Sequence, residues 1–139
     1  MATPTRVIFL DIDGVLTSFA YDDGLDPACL LRLDGLVRDT GASLVLISSW
    51  RDRYGLDATA ARLADAGLET PLLEAVPLLL RQSRSAEIHA YLRTTREPVT
   101  FVILDDVLVD GSLRQRQVLV DAFVGLQPGD LDLARVLLR

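Results

Sequence analysis

The chain has 139 residues, half of them hydrophobic, a formal net charge of −6, one cysteine and no lysine among its 14 basic residues. A chain of this length buries about 68–70% of the surface it exposes when unfolded and needs no staple; the lone Cys29 excludes an internal disulfide and reads as a small helix-core residue. The acidic balance excludes a long basic nucleic-acid-binding stripe, apolar runs such as 71–80 fall short of the about 20 residues that cross a bilayer, and no charged-plus-apolar leader precedes the first strand, so a cytoplasmic location is expected.

In chain order, the first apolar run, RVIFLDI at 6–12, is nearly continuous in β-branched and large aliphatic residues, as strands covered on both faces are. It delivers Asp11 and Asp13, which share one side of an extended segment, and Gly14, which permits a sharp turn. A helix is expected next: Asp26 is its N-cap, Pro27 its first residue, Leu30, Leu33 and Val37 lie at helical spacing, and Gly41 stops it. The second strand, 42–48, delivers Ser48, Ser49, Trp50 and Arg51. A helix at 57–67 and a strand at 70–76 follow, the latter confined to an edge by Pro71 and Pro77. A third helix spans 84–94, and its His89, far from any strand end, reads as structural. The strand at 99–106 delivers Asp105 and Asp106, with Asp110 four residues on; a last strand at 116–123 and a helix at 130–138 close the chain.

This alternation predicts an α/β fold: a Rossmann-like, doubly wound parallel sheet of about five strands, in one domain over 1–139, with its functional groups at the carboxyl ends of the strands. Carboxylates converging there from two strands repel each other, and their pKa values rise, unless a cation neutralises them. Mg²⁺ takes a few carboxylate oxygens together with water and phosphate oxygens, the set this rim offers. Ser48 supplies a hydroxyl, and the amides after it could hold an anionic oxygen. Taken singly, Asp-x-Asp-Gly reads as a solvated turn, Ser-Ser-Trp-Arg as a helix cap and Asp-Asp as a loop. Their coincidence at three strand ends favours a phosphoryl-transfer site.

These residues resemble the haloacid dehalogenase (HAD) superfamily of phosphohydrolases. FLDIDGVLT matches its first motif over its full length, LVLISS its second, and FVILDD its fourth. The trailing 120–138 and the Ser-Ser-Trp-Arg form of the second motif are similar to small members, some of which are attached to, or act as, nucleic-acid end-repair enzymes. The resemblance implies that Asp11 is the nucleophile and forms an aspartyl-phosphate, that Asp13 is the general acid and base and binds Mg²⁺ through its backbone carbonyl, and that Ser48 holds a phosphoryl oxygen. It makes Asp106 the acidic metal ligand, with Asp105 assisting through water and Asp110 the third choice. The family's lysine is missing; Arg84 stands where similar small members carry Lys or Arg, with Arg81 the fallback, and a planar guanidinium is no simple replacement for an ammonium.

The implied metal set is thus Asp11, Asp13, Asp105 and Asp106, with Gly14, Ser49, Trp50 and Arg51 as substrate contacts. For Trp50 core packing, and for Arg51 a surface salt bridge, are equal alternatives. No stretch is long enough for a large cap domain, so the site is expected to be open to a phosphorylated small molecule or nucleic-acid end. The expected activity is an Mg²⁺-dependent phosphomonoesterase. A catalytically weak phosphate- or partner-binding module of the same fold is the alternative that the absent lysine leaves standing.

Overall fold

The computed structural model describes residues 5–139. Five strands, β1 (Arg6–Leu10), β2 (Ser43–Leu46), β3 (Leu72–Ala75), β4 (Thr100–Asp105) and β5 (Gln117–Leu119), form one sheet in the order β3-β2-β1-β4-β5. Every pairing is parallel. Five helices connect and close it: α1 (Pro27–Thr40), α2 (Trp50–Arg53), α3 (Leu56–Asp65), α4 (Arg84–Leu92) and α5 (Pro128–Leu137). The expected α/β architecture without a cap is the one observed. Among the described residues no helix is long and apolar enough to cross a membrane.

The near-continuous apolar runs follow from burial on both faces. Ile8, Leu10, Leu44, Leu46, Val102 and Leu104 pack with Leu30, Leu33 and Leu36 of α1 and with Leu131 and Ala134 of α5. The alternate residues Val7, Phe9, Val45 and Ile103 pack with Ile88 and Tyr91 of α4 on the other face. Successive side chains of a strand point to opposite faces, so helices on both sides demand apolar residues at every position.

β1 is central, with β2 on one side and β4 on the other. The chain therefore reverses its direction of winding there, and the crevice at such a switch point lies at the carboxyl ends of the strands. The register pairs Leu10 with both Leu46 and Leu104, so the segments after β1, β2 and β4 emerge side by side.

Several elements differ from the sequence reading. The last strand is Gln117–Leu119 rather than 116–123, because beyond it Asp121 starts a turn in which its carboxylate accepts from the Phe123 amide at 2.9 Å. The final helix begins at Pro128, not 130, with Gln127 and Asp130 forming a capping box. A short helix, α2, also precedes α3. β3 is an edge strand, as Pro71 and Pro77 required.

Candidate active site

Asp11 follows β1, and its amide still donates to Leu104 O at 3.0 Å, which holds it against β4. Asp105 ends β4 and Asp106 is next. One carboxylate oxygen from each of the three lies within 4.8 Å of the others. Asp11 and Asp105 are buried, Asp106 half-buried. Burial pushes the Asp11 carboxyl up to about 8 against the pull of Arg84, and the neighbouring Asp105 and Asp106 add to the rise. Asp106 is raised as well, chiefly by burial.

Arg84 is the first residue of α4, whose N-cap, Ser83, accepts from the Ala86 amide. Its Nη1 lies 2.7 Å from Asp105 Oδ2 and 3.5 Å from Asp11 Oδ2. Burial works against the guanidinium's charge, but Asp11 and Asp105 outweigh it and raise its pKa. One arginine facing three carboxyl groups leaves negative charge uncompensated when all three ionise. A small hard cation fits this all-oxygen donor set, in which Asp11, Asp105 and Asp106 would hold it. Gly14, at φ 82°, completes the cradle: a Cβ there would overlap the Asp106 carboxylate. The residue that turns the chain is also the one that lets it lie against the acids.

The other expected residues divide. Asp13 stands beside the cluster, but its exposed carboxylate lies outside the acid triad and accepts from Trp50 Nε1 at 3.2 Å. The metal role implied for Asp13 runs through its backbone carbonyl and does not depend on that carboxylate, which the indole N–H holds. Trp50 packs half-buried on the core and stands edge-on to Tyr54 at 5.4 Å between ring centroids. Ser48 is buried, and its Oγ accepts from the Trp50 amide at 3.1 Å while its carbonyl accepts from the Arg51 amide. Those two amides are committed within the turn, so the expectation that the amides after Ser48 face an anion is not met at Trp50 and Arg51. The exposed Ser49 opens α2 without a side-chain cap.

Arg51 is not a substrate contact. Its Nη2 lies 2.5 Å from Glu87 Oε1, both side chains 7% exposed. Its other nitrogens donate to Ser48 O (3.1 Å), Val76 O (2.9 Å) and Pro77 O (3.2 Å), so all three guanidinium nitrogens are engaged. Arg51 therefore ties the ends of β2 and β3 to α4, the helix that carries Arg84. Sequence reasoning missed Glu87, 36 positions away, because nothing local marks it. Asp110 is exposed, gives its amide to Ser85 Oγ at 2.9 Å and lies outside the cluster. Arg84, and not the exposed Arg81, reaches the acids. His89 hydrogen-bonds Ser112. Thr17, also unforeseen, takes the Gly14 amide on its Oγ1 at 3.1 Å.

A cleft of about 280 Å³ is lined by Asp13, Gly14 and Asp106 together with Thr17, Ser18, Phe19 and Ala122. A family model described as the HAD domain in Swiss Army Knife RNA repair proteins matches residues 7–131. No curated protein matches the chain.

Proposed function

Because the chain belongs to the family of HAD domains found in Swiss Army Knife RNA repair proteins, we propose that it is an Mg²⁺-dependent phosphomonoesterase acting on a phosphorylated nucleic-acid end. The observation that carries the reading is the convergence of Asp11, Asp105 and Asp106 within 4.8 Å, bridged by Arg84. A bound Mg²⁺ would neutralise the acids and draw charge from the phosphoryl oxygens.

The chain's own groups divide the chemistry. An Asp11 carboxylate oxygen attacks phosphorus, the bond to the leaving oxygen breaks, and Asp13 gives that oxygen its proton. Water then attacks the aspartyl-phosphate, Asp13 takes the water's proton, and the bond between phosphorus and Asp11 breaks to release inorganic phosphate. Splitting the displacement in this way suits a carboxylate held in place by its neighbours. Trp50 orients Asp13 through its indole N–H. Arg84 supplies the charge that the missing lysine would give, and Ser48 keeps its hydroxyl proton to donate to a phosphoryl oxygen. The site has no cap over it, which suits a protruding end better than an enclosed metabolite.

Phosphate release from a 3′-phosphorylated oligonucleotide and from a generic aryl phosphate tests the reading, with Mg²⁺ and with chelator. Metal-dependent release from the oligonucleotide, lost in Asp11→Asn, is expected. Release that ignores the chelator, or survives in Asp11→Asn, would overturn the mechanism.

A further inference from the structure

The chain has four phenylalanines, and they are distributed unevenly. Phe9 is in the core and Phe101 packs against it, whereas Phe19 is 79% and Phe123 61% exposed. Both exposed rings are carried by loops at the carboxyl rim. Phe19 and Ala122, the neighbour of Phe123, line the same cleft as Asp13, Gly14 and Asp106.

These loops are tied to each other. The Phe19 amide donates to Ala122 O at 3.2 Å and the Ala20 amide to Phe123 O at 2.8 Å; nearby, the Leu126 amide donates to Val15 O at 2.8 Å. Tyr21 N and Phe123 N are held in turn by Ser18 Oγ and Asp121 Oδ1. The backbone thus holds two large apolar rings in water beside the acids instead of folding them inward. Burying a phenylalanine is favourable, a gain this arrangement forgoes at both positions unless a ligand covers the rings.

The cleft brings together the acidic residues Asp13 and Asp106, the hydroxyl residues Thr17 and Ser18, and the aromatic Phe19. A phosphorylated nucleoside end combines a charged phosphate, a polar sugar and a flat base. We propose that Phe19, supported by Phe123, is a stacking ledge for the nucleobase adjoining the phosphate that is removed, so that the leaving group is a nucleoside unit and not a simple alcohol. The proposal rests on the phosphatase reading for the position of the phosphate. Stacking tolerates any base because each presents a π-face, so the ledge discriminates base from no base, and not one base from another.

The test uses the whole chain with Mg²⁺, a 3′-phosphorylated oligonucleotide, the same oligonucleotide lacking its terminal base, and acetyl phosphate. Phe19→Ala and Phe19→Leu should each lower kcat/KM for the base-bearing end roughly ten-fold, and Phe19→Trp should restore it. The abasic end should be poor for wild type and indifferent to all three substitutions, as should acetyl phosphate. An equal loss on base-bearing and abasic ends, or no loss on either, overturns the ledge. Should wild type release phosphate from none of them, the phosphatase reading fails. The ledge is then decided by fluorescence anisotropy of the same two oligonucleotides: binding that needs both the base and Phe19 supports it, and binding that needs neither overturns it.

Discussion

The two ends of the sheet treat a buried aspartate in opposite ways. Asp34 of α1 is 3% exposed, and its carboxylate accepts from the Glu69 amide (2.9 Å), the Thr70 amide (2.9 Å) and the Thr70 hydroxyl (2.6 Å), just ahead of β3. At that same end Arg6 donates to Leu138 O and Thr40 O, carbonyls at the ends of α5 and α1. At the other end Asp11 is 5% exposed and faces two further carboxyls across one shared arginine. Burial alone therefore does not mark a functional acid. Donors aimed at a carboxylate make it a structural element, while acids aimed at it leave charge that a proton or a bound cation must relieve.

Substitutions can break this contrast from either side. Asp11→Asn should cost activity on the order of 10³-fold or more, as loss of a covalent nucleophile does, yet its melting temperature in chelator should not fall, because a neutral amide ends the crowding. A large loss of stability would instead make Asp11 structural. Arg51→Ala should destabilise by about 3–5 kcal/mol in urea unfolding, since it strands the buried Glu87 carboxylate. The half-exposed Arg135–Asp39 pair is the control and should give at most about 1 kcal/mol on Arg135→Ala. Similar losses in both would dissolve the role of Arg51 as a tie.

Asp34→Asn inverts the Asp11 result. It should lower stability by about 1–3 kcal/mol, because acceptor capacity is lost opposite three donors, with kcat per folded molecule unchanged.

The smallest effect is on pH. The Asp11 carboxyl is raised to about 8 from an unfolded value of about 3.9. Its contribution to stability is therefore fully present below about pH 4 and is lost as pH rises through about 8. Mg²⁺ bound to the ionised cluster would oppose that loss and would release a proton below pH 8. The rise in melting temperature with Mg²⁺ over chelator should therefore be larger at pH 8 than at pH 6. An increment independent of pH would mean that Asp11 does not hold the metal.

Much of this was legible in the sequence. Apolar runs ending in Asp11, in Ser48 and in Asp105–Asp106 announce strands that carry acids and a hydroxyl to one rim, because parallel strands align their carboxyl ends. The parts that were not legible depend on contacts between distant segments. Nothing near Arg51 reveals Glu87, nothing near Asp34 reveals Thr70, and the distinction between a substrate contact and a structural tie lies in those partners. Likewise VLVDAF at 118–123 has a strand's composition, but the Asp121 turn ends the ladder early. Trp50 packs on the core, the alternative the sequence offered to a substrate contact, and its N–H also holds Asp13, a partner nothing local marks.

The central claim is that Asp11 is crowded because it is a nucleophile. Its most direct test is peptide mapping by mass spectrometry of wild-type protein quenched in acid during turnover of a 3′-phosphorylated oligonucleotide. The account predicts a phosphate on the peptide containing Asp11 that is absent with chelator and absent in Asp11→Asn. Turnover with that peptide unmodified, in samples where the slow step is release of the aspartyl-phosphate, would contradict it.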